Sequence, residues 1–254
     1  MKTKLSIAIL FLAFTNGYSQ DSRVDKLAGY NQSVKQEQKG DDFTQNLWYD
    51  IHGAYTHSVT KEKLKVTKSL SELNPGYPAN WLADFISTEI SSTCNGKPMK
   101  AVSTSSNLTI EQKNILNTAD IGADIILNVK YKSQNSATGK IETRIMNFVV
   151  TVIPEVEAEY RGGHLEMKKY LKDNVIDKNY DLVSKESLKG KVRFIIDEEG
   201  RIENVKITES TGDAKADKSL LDAIIQMPKW KPAENSKGVK VKQEFEFGVG
   251  NSGC

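Results

Sequence analysis

The side chains of this chain best suited to nucleophilic or metal chemistry are His52, His57, His164, Cys94 and Cys254. Their spacing argues against both. His52 and His57 lie an odd number of residues apart in a strand-like segment, which puts them on opposite faces, whereas a metal site needs converging ligands. His164 follows Gly162-Gly163 and reads as a surface residue at a helix start rather than a base. The sequence has no Gly-x-Ser-x-Gly elbow, no His-Glu-x-x-His, no Cys-x-x-Cys and no phosphate-cradling glycine loop. The expectation is a protein that is not an enzyme, with no cofactor, no metal and no small-molecule substrate. Neither cysteine has the surroundings of a catalytic thiol. In an oxidising compartment Cys94 and Cys254 could pair, and the sequence leaves that open.

Charge narrows the partners. The 254 residues carry 35 Lys plus Arg against 33 Asp plus Glu. So even a balance implies no nucleic-acid surface. Met1-Lys2-Thr3-Lys4 is a short basic start, and Leu5 to Phe14 is an apolar run followed by a polar stretch. This is the layout of a secretory signal over residues 1–20, the run being short of the roughly 20 residues that span a bilayer. An uncleaved anchor is the alternative. The polar residues 21–42 read as a flexible leader, so the protein is expected to be exported to the periplasm and cell envelope.

Two units follow. Residues 43–153 read as β-rich. Trp48 to Val59 is aromatic and β-branched, and Phe85 to Thr93 alternates up to Asn95-Gly96, after which Met99 to Thr104 resumes. Asn-Gly between such runs favours a type I′ hairpin. A helical stripe through Trp81, Leu82, Phe85 and Ile86 competes with that reading. Thr109-Ile-Glu-Gln112 is a capping box for a short helix. Ile125, Leu127, Val129 and Tyr131 alternate, and Arg144 to Ile153 reads as an apolar strand suited to a sheet interior.

Residues 155–248 form the second unit, and 249–254 a tail. Leu165, Tyr170, Leu171 and Val175 sit in a helical stretch. Val192, Phe194 and Ile196 alternate into a turn at Asp197-Glu-Glu-Gly200, and Ile202, Val205 and Ile207 return. Gly200 occupies the turn position that tolerates positive φ. Leu220, Ala223, Ile224 and Met227 keep helical spacing until Pro228. Trp230, held in an extended path by Pro228 and Pro232, reads as a structural cover for the core, with Lys229 and Lys231 in solvent. In the last strand Val239, Val241, Phe245 and Phe247 face one way, and Lys240, Lys242, Glu244 and Glu246 the other; Gln243 sits between them.

The run from Gly190 to Ile207, the helix, Met-Pro-Lys-Trp-Lys-Pro-Ala and Gly238 to Phe247 together resemble the TonB C-terminal domain family. The segment Ala158-Glu-Tyr-Arg-Gly-Gly163 looks like the Gly-Gly stretch preceding that domain in Bacteroidetes members. One departure is Tyr180-Asp181, where the family usually has Tyr-Pro. The stretch from Asn107 to Ile125 is similar in pattern to a β-domain of a periplasmic gliding and secretion-machinery protein of Bacteroidetes.

The resemblance implies an α+β chain whose C-terminal domain packs a three-stranded antiparallel sheet on two helices. It also implies a partner, an outer-membrane or periplasmic protein gripped through an extended segment, and a homodimer stays open. Strand addition needs an unpaired sheet edge, and the expected edge is Val239 to Phe247. An energy transducer would also need a membrane anchor and a proline-rich spacer. With six scattered prolines, a soluble TonB-like binding protein is preferred to an anchored transducer.

Overall fold

The computed structural model describes residues 47–73, 84–183 and 188–251. The signal segment, the leader, Trp81, Leu82 and Cys254 lie outside them. From Asn46 onward the chain forms one compact unit, built on two sheets.

The first sheet has five strands in the order β2 (Ser58–Thr60), β6 (Ile141–Ile153), β5 (Asp124–Gln134), β3 (Asp84–Cys94) and β4 (Lys97–Ser103). The Asn-Gly turn behaves as its residue types dictate. Asn95 and Gly96 take φ of 52° and 71°, and Cys94 pairs with Lys97 across it. Phe85 and Ile86 lie in β3, whose register shifts between Phe85 and Ser87, so this part of the tract is strand. Helices α1 (Lys61–Val66), α2 (Leu70–Leu73) and α3 (Ile110–Thr118) accompany this sheet. α3 begins with the expected reciprocal box between Thr109 and Gln112. Ile90, Ile125, Leu127, Val129, Val150 and Val152 point from the strands into one core with Leu64, Ile115 and Leu116. Cys94 is a buried free thiol there, and its suggested partner Cys254 lies outside the described residues.

Two expectations change in this sheet. The Trp48 to Val59 run divides into β1 (Leu47–Gly53) and β2. β6 was read as an interior strand, yet β2 pairs with it only over Thr151 to Ile153. Most of its outer side has no neighbouring strand among the described residues.

The second sheet has the order β1, β11 (Gln243–Asn251), β7 (Gly190–Ile196) and β8 (Ile202–Glu209). Over it pack α4 (Gly163–Leu171), a π-helical turn at Lys172–Ile176, α5 (Tyr180–Val183) and α6 (Ala214–Ile225). Asp213 caps α6 by accepting from the Lys215 and Ala216 N–H groups. The hairpin turn holds Gly200 at φ 78°. A Cβ there would lie 2.0 Å from the Trp230 carbonyl oxygen, so glycine is required twice over. β8 carries a bulge, with Asn204 at φ 54°.

The last strand is interrupted. Lys240–Val241 forms β10, paired with β9 (Ala233–Glu234), and the long strand starts at Gln243. Val239 is therefore exposed rather than inward. The sheet also has four strands, not three. The fourth, β1, comes from the N-terminal unit, so the boundary at residue 153 holds for the first sheet but not for the chain.

Candidate functional site

The strand expected to be a free edge lies inside the sheet. β11 pairs with β7 on one side, Phe247 opposite Val192, and with β1 on the other, from Leu47 opposite Asn251 to Gly53 opposite Phe245. Of the expected edge residues, Val239, Lys240, Val241 and Lys242 precede this strand. Gln243 pairs only with β7, at Ile196. Glu244, Phe245, Glu246 and Phe247 lie between β7 and the β1 segment. The correction is physical. An alternating strand shows which face is wet, but it does not show whether a neighbour lies alongside.

The seven residues of β1 fit β11 on both faces. Leu47, Tyr49 and Ile51 are buried with Val192, Phe194, Phe245, Phe247 and Val249. On the other face the Trp48 ring lies over Gly248, where a Cβ would come within 2.6 Å of it. A side chain at this position would have to displace the Trp48 ring. Ala54 N–H donates to Glu244 O at 3.3 Å. Ladder alternation then points the backbone groups of Glu244, Glu246, Gly248 and Gly250 at β1, and those of Phe245, Phe247 and Val249 at β7.

The outer edge of β1 is blunted by side chains. Lys168 Nζ donates to Tyr49 O and sits 3.9 Å over the Tyr49 ring. Asp50 Oδ1 accepts from Ile51 N–H at 2.8 Å and lies 3.0 Å from His164 Nε2. His164 is thus not a loose surface residue; it ties α4 to β1. Burial lowers the Lys168 pKa, against the opposing charge of Asp50, and burial raises that of Tyr49. His52 is exposed, with Nδ1 2.9 Å from Gly53 O, and His57 is exposed just before β2. The three histidines do not converge.

On the wet face, buried Glu246 draws Arg193 Nε to 3.1 Å and Lys191 Nζ to 3.6 Å. Lys242 pairs with Glu203 at 2.5 Å in the open, where such pairs contribute little. Trp230 is buried as expected, at 3% exposure, edge-on to Tyr160 and Phe194 and tilted against Phe245. Its backbone N–H donates to Gly200 O at 2.8 Å, so the Trp230 main chain and the hairpin turn hold each other. Lys231, with Pro228 and Pro232 nearby in the chain, bridges to Glu159 through paired backbone bonds.

No sequence reading anticipated β1 as part of this site. The signal present was the alternation of Leu47, Tyr49 and Ile51, together with Gly248 and Gly250 at alternate positions of the last strand.

No curated protein and no solved structure matches the chain. Residues 186–249 match the family model of the Gram-negative bacterial TonB protein C-terminal, which covers the hairpin, α6, the Trp230 segment and β11. That family associates the segment with transport systems of the bacterial cell envelope. With β7, β8, α6 and β11 in that order and Trp230 closing the core, residues 186–249 are a TonB-type C-terminal domain.

Proposed function

We propose that this is a non-enzymatic, exported protein of the cell envelope that receives an extended segment of an outer-membrane or periplasmic protein along β11. In the conformation described, β1 holds that place as a resident strand, and the partner displaces it. One observation carries the reading: β11 accepts an extended seven-residue strand in antiparallel register over Leu47 to Gly53.

The energetics define the partner. Removing β1 from β11 uncovers Leu47, Tyr49 and Ile51, at about 1.5–3 kcal/mol for each buried side chain. A displacing segment must offset this with its own apolar residues at alternate positions. Between them it needs a residue that can lie over Gly248. Backbone pairing supplies affinity and the alternate side chains supply selectivity. The uneven protection of β1, by its own Asp50 and by His164 and Lys168 of α4, suits an element that must leave.

The test is a lock. Trp48 pairs with Gly250, and a Cβ at Gly250 meets nothing closer than Lys189 Cγ at 3.4 Å. In a Cys254→Ser background, Trp48→Cys with Gly250→Cys can therefore form a disulfide across the ladder. The oxidised protein should lose the envelope proteins that the wild type captures, as identified by mass spectrometry, and reduction should restore them. Equal capture by the locked and reduced forms would exclude β11 as the receiving strand.

A further inference from the structure

The two larger sheets end on β1 and β8 and on β4 and the short β2, and among the described residues β2 covers only Thr151 to Ile153 of β6. Of these outer strands, β1, β8 and β4 are guarded. β1 is capped by Lys168, Asp50 and His164. β8 carries the Asn204 bulge, which disrupts regular pairing. β4 carries Lys97, Pro98 and Lys100, residues that discourage strand addition.

β6 differs. Thr151 N–H donates to His57 O on the outer side, whereas Val152 N–H donates to Ala123 O on the β5 side. The odd-numbered residues of β6 therefore aim their backbone groups away from β5. Those residues are Ile141, Thr143, Ile145, Asn147 and Val149. They include no charge and no proline. Their side chains stand on the solvent face, with Ile141 67%, Ile145 64% and Val149 41% exposed. Ile126, paired with Val149 on β5, extends the apolar surface.

We propose that two copies of this chain associate edge to edge through β6, antiparallel about a two-fold axis at Ile145. The argument is one of self-complementarity. Among the described residues the open edge begins where β6 begins, at Ile141, and its last outward residue before β2 takes over at Thr151 is Val149. Its midpoint is Ile145. A two-fold axis there sets Ile145 opposite itself, Ile141 opposite Val149, and Thr143 opposite Asn147. Every outward N–H and C=O of the five residues then finds a partner, and the exposed β-branched side chains pair across strands as stable ladders require. The two five-stranded sheets become one continuous sheet. An isologous contact of this kind closes on itself and does not propagate into fibres. This proposal is independent of strand addition at β11, which belongs to the other sheet.

Sedimentation velocity of the full chain over the micromolar range tests it. The wild type is expected to be a dimer. Ile145→Lys places two ammonium groups opposite each other. Asn147→Pro removes an outward donor while leaving the β5 ladder intact, because the Asn147 N–H does not point at β5. Both variants should sediment as monomers with unchanged circular dichroism. As a separate arm that requires no disruption, Ile145→Cys in a Cys254→Ser background should oxidise to a covalent dimer. A wild type that is monomeric throughout would overturn the proposal, and the open edge would then have to serve a different chain. A dimer that survives both substitutions, or an Ile145→Cys variant that fails to cross-link, would overturn it as well.

Discussion

Trp230 shows how a single side chain organises this lobe. Its ring touches Tyr160, Phe194 and Phe245, while its backbone is fastened to Gly200. Trp230→Ala should therefore lower stability by about 3–5 kcal/mol, as core aromatic truncations do, read from the denaturant midpoint. Gly200→Ala should also destabilise, since the new Cβ meets the Trp230 carbonyl and left-handed φ is unfavourable for alanine. The neighbouring turn should respond to acid. Burial would raise the Asp197 pKa, but the Arg201 backbone and side chain and the Glu199 N–H donate to it and together hold it at about 2. A carboxylate depressed in the folded state contributes stability that is present above its unfolded value. That contribution is lost as pH falls towards 2. The melting temperature should fall over that acid range, and Asp197→Asn should flatten this part of the profile. An unaltered profile would show that the carboxylate is not coupled to folding.

At the scale of elements, β1 is the decisive piece, and α4 is what holds it. Lys168→Met keeps the apolar stem but loses the bond to Tyr49 O. It should loosen β1 without changing the global unfolding midpoint, and hydrogen exchange of the even-numbered β11 amides would report the change. Elements whose conformation is set by near neighbours were legible in the sequence. The Asn95-Gly96 turn needs two residues tolerant of positive φ, α3 needs Thr109 and Gln112, and Trp230 needs two prolines. Pairing between β1 and β11 joins residues about two hundred positions apart, and no local propensity encodes it. Alternation marked Leu47, Tyr49 and Ile51 as strand residues without naming their neighbour. The same gap led β6 to be read as interior. Its tail, Val150 and Val152, is buried, while Ile141 and Ile145 are exposed.

At the scale of the molecule, the chain is not two units in series. Glu157 accepts from Tyr55 and from Gln243 at 2.6 Å each, and Gln243 in turn accepts from Ala158 N–H. The segment after the first sheet is thus sewn to the start of β11. A fragment beginning at residue 155 retains the TonB-type segment but loses β1. Its unfolding free energy, from denaturant titration followed by tryptophan fluorescence, should lie below that of the same lobe in the full chain by the several kcal/mol that three buried side chains represent, and its midpoint should fall accordingly. An equal midpoint would mean that β1 adds nothing to the lobe.

For a partner to enter, β1 must leave β11 while the rest of the lobe stays folded. Residue-resolved hydrogen exchange of the native protein tests this most directly, because β11 carries both sets of amides. Those of Glu246, Gly248 and Gly250 face β1, and those of Phe245, Phe247 and Val249 face β7. The first set should exchange through a local opening, markedly faster than the second, which waits for global unfolding. If both sets exchange together at the global rate, β1 is a permanent strand of the sheet, and displacement by a partner is contradicted.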